Sequence, residues 1–79
     1  VVDDVSVIGS LGPLIVATRG RDGAGEVLLR VRGSNEAFLA WSEEPLPKGA
    51  EVLVIGKRGP RTVLVEAWSS LDPLPSMND

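Results

Sequence analysis

Lys48-Gly49-Ala50-Glu51-Val52-Leu53-Val54-Ile55-Gly56, followed after a short polar link by Thr62-Val63-Leu64-Val65-Glu66, is the stretch whose reading decides the fold. Both runs are rich in branched aliphatic residues, both are bounded by turn-forming residues, and both have strand rather than helix length. Val63 and Val65 alternate with Leu64 and Glu66, as in a strand with one buried face. The first run is apolar on both sides, which predicts near-complete burial of that strand. Moving toward the N-terminus, the same reading gives strands at residues 14–18, 26–32 and 37–42, which with 51–56 and 62–68 make five. The first extends back to Val5 if Gly9, Gly12 and Pro13 supply a bulge or bend.

Alternation then assigns faces. Val27, Leu29 and Val31 share one side of the second strand and are expected inside, leaving Arg30 and Arg32 in solvent. The third strand sets Ala37, Leu39 and Trp41 against Phe38, Ala40 and Ser42; Leu39 and Trp41 are read as the inner set. In the fifth, Val63, Val65 and Ala67 are read as inward. The links at 20–25, 33–36, 43–50 and 57–61 each hold Gly, Pro, Asn or Asp, as hairpin-type connections require. Pro45 and Pro47 bar a helix from the third link, because an interior proline lacks the amide donor and collides with the preceding turn. The expectation is an all-β domain whose five strands close into an antiparallel Greek-key barrel, since closure removes the exposed edges of a flat sheet.

Seventy-nine residues accommodate one hydrophobic core and exclude a second. The chain divides into an extension at 1–4, a barrel at 5–68 and a polar, proline-bearing segment at 69–79 that is expected to be a mobile tail. It has no Cys and no His. Disulfides, thiol nucleophiles and the usual zinc ligands are therefore excluded, and the commonest general base at neutral pH is missing, so the reading is of a non-enzymatic protein. A net charge of -3 disfavours non-specific attraction to nucleic acid or anionic lipid. The longest apolar run, 37–41, is far shorter than a membrane span, and the chain is expected to be soluble. Its start at Val1 fits either a domain of a longer protein or removal of an initiator Met.

Gly9-Ser10-Leu11-Gly12 before a strand ending at Thr18, Gly25 opening a strand that ends at Gly33, Lys48-Gly49-x-x-Val52-x-Val54 and Val63-x-Val65-Glu66 together resemble the C-terminal soluble domain of NfeD-like membrane proteins. The resemblance covers about three quarters of the chain. Where that family usually has a Leu-x-Pro-x-Gly turn, this chain has residues 20–25, keeping only the final Gly. The resemblance implies an OB-fold-like barrel lacking the helix usual in that fold. It further implies attachment to a membrane through an upstream segment, a cytoplasmic location, and work with membrane-scaffold proteins of the stomatin, prohibitin and flotillin class in membrane organisation or quality control. Longer members carry a serine-protease domain, and nothing here matches its nucleophile region.

Five of the eight positive charges fall around two links, Arg19 and Arg21 at the first and Lys57, Arg58 and Arg61 at the fourth. In an OB-fold these loops flank the ligand face, with Arg30 and Arg32 on the strand between them. With Trp68, expected to be a partly exposed indole closing the last strand, these residues form the candidate interaction surface. Solvated turn charge is the plain alternative. A single-stranded nucleic-acid site is the rival function, but it needs several stacking aromatics and the chain offers only Phe38, Trp41 and Trp68. Anionic headgroups are a third possible target. Glu43, Glu44 and Glu51 lack companion ligands and are read as a solvated acidic loop rather than a metal site, and no motif orients Ser10 or Ser34 with Lys48 or Lys57 as a catalytic dyad. No cofactor is expected. The sequence leaves the oligomeric state and the identity of the partner open.

Overall fold

The computed structural model describes residues 7–68; the expected extension at 1–4, the strand start near Val5 and the tail at 69–79 lie outside them. The elements are β1 (Leu11–Val16), β2 (Thr18–Arg19), one 3-10 turn (Gly20–Asp22), β3 (Gly25–Val31), β4 (Ser34–Trp41), β5 (Pro45–Leu46), β6 (Glu51–Gly59) and β7 (Thr62–Ala67). β1, β3, β4, β7 and β6 form a closed barrel in that order, and β2 pairs separately with β5. The fold is therefore the expected five-stranded all-β barrel, without a helix between β4 and β6. Four seams are antiparallel and the fifth, between β4 and β7, is parallel. An odd number of strands cannot alternate direction around a closed ring, so one parallel seam is a necessity of the count.

The barrel interior holds Val7, Leu14, Val27, Leu29, Val31, Phe38, Ala40, Val52, Val54, Val63 and Val65, with Leu46 and Ala50 packed against them. The inward trio of β3 is as expected, and so are Val63 and Val65. Ala67, read as inward, is exposed at the end of β7.

β4 presents the opposite face from the one expected: Phe38 and Ala40 are inside, whereas Leu39 is 47% exposed. The cause is the hairpin. Arg32 and Gly33 form a two-residue turn with φ of 53° and 84°, and the ladder that follows pairs Val31 with Ser34 and Val27 with Phe38. Residues directly opposite across a ladder share a face, so Phe38 follows Val27 inside and Trp41 falls on the outside. The turn thus occupies Arg32-Gly33 rather than 33–36.

β1 also differs from expectation. Its irregularity lies between Leu14 and Val16 rather than at Gly12 and Pro13, while Gly9 stands in a turn ahead of the strand with φ of 94°. Gly12 instead lets β1 approach β3, because a Cβ there would collide with the Leu28 carbonyl. β6 is buried on one face only: Val52 and Val54 are inside, while Leu53 is half-buried and Ile55 is 50% exposed.

The link from β4 to β6 is anchored at both ends. Gly49 N–H donates to the Leu14 carbonyl at 2.8 Å and Leu14 N–H to the Ala50 carbonyl at 2.9 Å. At its start the buried Thr18 side chain ties β2 to β5, accepting from Leu46 N–H at 2.9 Å and bonding Ser42 Oγ at 2.7 Å. This small β2–β5 sheet occupies the connection in which an OB-fold usually has its helix.

Candidate functional site

β6 carries two register shifts, one between Val54 and Gly56 and one between Lys57 and Gly59. Each bulge inserts an extra residue that breaks strict alternation and re-aims a side chain. The inserted residues are Ile55 and Arg58. Both line a groove of about 340 Å³ on the outer surface, together with Trp41 from β4, Leu64 from β7, and Arg21 and Glu43 from the links. Trp41 and Leu64 meet because they are partners across the parallel seam. Gly56, opposite Leu64, leaves room for the leucine side chain to lie over it.

The Arg58 guanidinium stands over the Trp41 ring, 4.6 Å from its centroid. Such stacking orients the charge and leaves its other hydrogen-bond donors available to a ligand. On the opposite rim Arg21 and Glu43 form an ion pair at 3.3 Å with side chains 81% and 84% exposed, which solvent makes weak and readily exchanged for a partner's charges. The groove is an apolar strip of Ile55, Leu64 and Trp41 between two arginines. Among the described residues no group of three or more His, Cys, Asp or Glu is arranged to hold a metal ion.

The remaining members of the expected surface lie elsewhere. Arg30 is on the outside of β3, and Arg32 is in the hairpin turn, beyond the last β3–β4 pair and at the far end of that ladder from Ala40. Arg19 folds back over Gly23. Lys57 is exposed on β6. Arg61 serves the fold: its guanidinium lies 4.9 Å from the centroid of the buried Phe38 ring, and its Nη2 donates to Glu36 Oε1 and to the Ala37 carbonyl, both at 3.0 Å. Trp68 is 40% exposed past the end of β7, where its backbone N–H donates to the Glu51 carbonyl. Of the eight residues, Arg21 and Arg58 line this groove. Trp41, Ile55 and Leu64 were not among the candidates; placing Arg32-Gly33 as the turn is the signal that turns Trp41 outward, and Gly56 and Gly59 within β6 are the signal for its bulges.

Residues 11–66 match the family model of the NfeD C-terminal domain. No curated protein is significantly similar in sequence. Similar solved structures include the soluble domain of the NfeD protein YuaF from Bacillus subtilis, with 27% identity and a TM-score of 0.67 over 81% of this chain and 76% of that one. The C-terminal domain of stomatin operon partner protein 1510-C from Pyrococcus horikoshii superposes with a TM-score of 0.63 at 24% identity, over 81% of this chain and 91% of the other. The soluble domain of a Corynebacterium glutamicum membrane protein implicated in regulation of membrane protease activity gives a TM-score of 0.63 at 22% identity, over 82% and 97%. These last two likenesses speak to the fold.

Proposed function

The chain belongs to the NfeD C-terminal domain family, and from that premise we propose that it is a non-enzymatic protein-interaction module of a membrane-anchored NfeD-like protein. Its partner in this reading is a membrane-scaffold protein of the stomatin, prohibitin or flotillin class, engaged on the cytoplasmic side. No helix among the described residues is long and apolar enough to cross a membrane; in this reading the anchor is an upstream segment, as membership of the family implies. The observation that carries the reading is the family match over 11–66. One structural neighbour is itself described as a stomatin operon partner protein, which supports the choice of partner class.

The groove supplies a surface suited to the task. Trp and Arg dominate the energetics of protein interfaces, and here the two are stacked beside exposed aliphatic side chains. The same arrangement disfavours a nucleic-acid reading: Phe38 is core, and the Trp41 ring is already covered by Arg58, which leaves no run of free stacking platforms on this face. The test is binding of the immobilised 79-residue protein to purified stomatin-, prohibitin- and flotillin-class proteins, with single-stranded DNA and RNA oligomers as controls. The reading expects one scaffold protein to bind, and Trp41→Ala to weaken it by roughly tenfold or more, as for an interface hot spot. Binding of the oligomers in a salt-sensitive manner, with none of the scaffold proteins retained, overturns it.

A further inference from the structure

The parallel seam ends before β7 does. β4 stops at Trp41, opposite Leu64, while β7 continues to Ala67. The hydrogen bonds fix which way the remaining backbone groups point. Trp68 N–H donates to Glu51 O of β6, and Val54, the partner of Val65, spends its N–H and C=O on Ser10 and Gly9. Even-numbered residues at the end of β7 therefore face β6 and odd-numbered ones face away from it, because backbone groups alternate sides along a strand. The bond from Leu39 N–H to Arg61 O shows that the odd side is the one β4 occupies. Beyond Leu64 no strand among the described residues lies on that side, and among them the Val65 carbonyl with the N–H and C=O of Ala67 forms an open strand edge inside an otherwise closed barrel. The chain that ought to continue β4 is drawn away, held by Ser42 and Leu46 to Thr18.

Beside this edge is a second groove, about 320 Å³, lined by Leu46, Ile55 and Ala67 and by the carboxylates of Glu43, Glu44 and Glu66, with no Lys or Arg in its wall. Glu44 and Glu66 form no ion pair among the described residues.

We infer that the open edge of β7 at 65–67 accepts an extended segment of the partner protein as an added strand, and that this segment alternates apolar with basic residues. Main-chain hydrogen bonds to Ala67 and Val65 give it direction; apolar side chains settle against Leu46 and Ile55, and basic ones reach the three carboxylates. The inference deepens the interaction-module reading and rests on it.

The probes are two capped peptides, acetyl-Lys-Val-Lys-Val-Lys-Val-amide and its Glu-for-Lys counterpart, titrated into the isotope-labelled 79-residue protein. The Ala67 amide is expected to exchange rapidly in the free protein and to slow by at least roughly tenfold when the basic peptide binds, since a strand hydrogen bond withdraws it from solvent. Glu44→Lys with Glu66→Lys, both at exposed positions, should reverse the preference toward the acidic peptide. Ala67→Pro, which deletes an amide that β6 does not use, should weaken the basic peptide by roughly tenfold, the value of about one hydrogen bond.

Failure of both peptides to bind overturns the inference, as does binding that leaves Ala67 unprotected. Protection that grows with protein concentration alone identifies a second copy as the occupant, and protection that vanishes on deleting 69–79 identifies this chain's own tail; either result also overturns it. Scaffold-protein binding unaffected by Ala67→Pro and by the Lys pair refutes strand addition while leaving the interaction reading standing. Loss of scaffold binding by the unaltered protein is the separate failure of that reading.

Discussion

Replacing Thr18 by Val should destabilise the domain although the change in shape is slight. Thr18 is only 3% exposed, the one buried polar side chain among the described residues. Its hydroxyl sits within a chain of hydrogen bonds: Leu46 N–H donates to Thr18 Oγ1 at 2.9 Å, and Ser42 Oγ donates to the Glu44 carbonyl at 2.7 Å. The arrangement that keeps the short Ser42–Glu44 bond has Thr18 donating to Ser42 Oγ at 2.7 Å, with the Glu44 carbonyl a second, longer acceptor at 3.4 Å. Valine keeps the volume and removes both functions. Ser42 is partly exposed and regains a partner from water, but the part-buried Leu46 amide loses its acceptor, a penalty of about 1–3 kcal/mol. A domain of this size loses about 4–8 °C of melting temperature per kcal/mol, so a fall of roughly 4–24 °C is expected. Thermal and urea unfolding measure the total, and hydrogen exchange at the Leu46 amide localises it. A cycle with Ser42→Ala should show coupling of about 1 kcal/mol, because both side chains serve one chain of bonds. A Thr18→Val protein that melts at or above the parent temperature, with the Leu46 amide still protected, would refute the assignment.

Arg32→Asn should raise stability by about 0.5–1 kcal/mol, since Asn tolerates the left-handed φ of 53° at that exposed turn position better than Arg; an unchanged urea midpoint contradicts this. Gly25→Ala should destabilise by about 1–3 kcal/mol, because its Cβ would meet the Val16 and Ala17 carbonyls, and a melting curve matching the parent shows that β1 is not held so close. Val54→Asp places a carboxylate where the side chain is 1% exposed among valines, and it should abolish the cooperative transition, because burying an unpaired charge costs several kcal/mol, on the order of the total stability; a preserved transition refutes the inward placement.

The barrel was legible because its inner positions repeat one pattern. Val27, Leu29 and Val31 alternate with Leu28 and Arg30, and Val63 and Val65 with Leu64 and Glu66, so tertiary burial and local propensity agree there. The β4 face was misread because alternation alone is symmetric between its two apolar sets, and only the turn position breaks the tie. Arg32-Gly33 has Gly in one left-handed position but Arg in the other, where Asn or Asp would have announced the turn. The two bulges of β6 insert Ile55 and Arg58, each followed directly by a glycine, Gly56 and Gly59, a mark that is ambiguous because glycine at these positions reads equally as the close of a strand ending at 56 and as part of the link after it. That is why Arg21 and Arg58 were found as charges but not as a pair around Trp41 and Leu64: the grouping depends on the bulges and on the parallel seam. Arg61 shows the converse case, a loop cation that reads as a ligand contact in the sequence and is engaged with Glu36 and Phe38 in the fold.

The most direct test of the central claim, that partner binding uses the outer face where β4, β7 and β6 meet, is amide and side-chain chemical-shift mapping of the labelled 79-residue protein on addition of a purified scaffold-class partner. The account predicts perturbations concentrated at Trp41, Ile55, Arg58 and Leu64 and along β7 toward Ala67, with the β3–β4 turn at Arg32-Gly33 unmoved. Perturbations centred instead on Arg30, Arg32 and the turn, with the Trp41 indole signal unchanged at saturation, would contradict it.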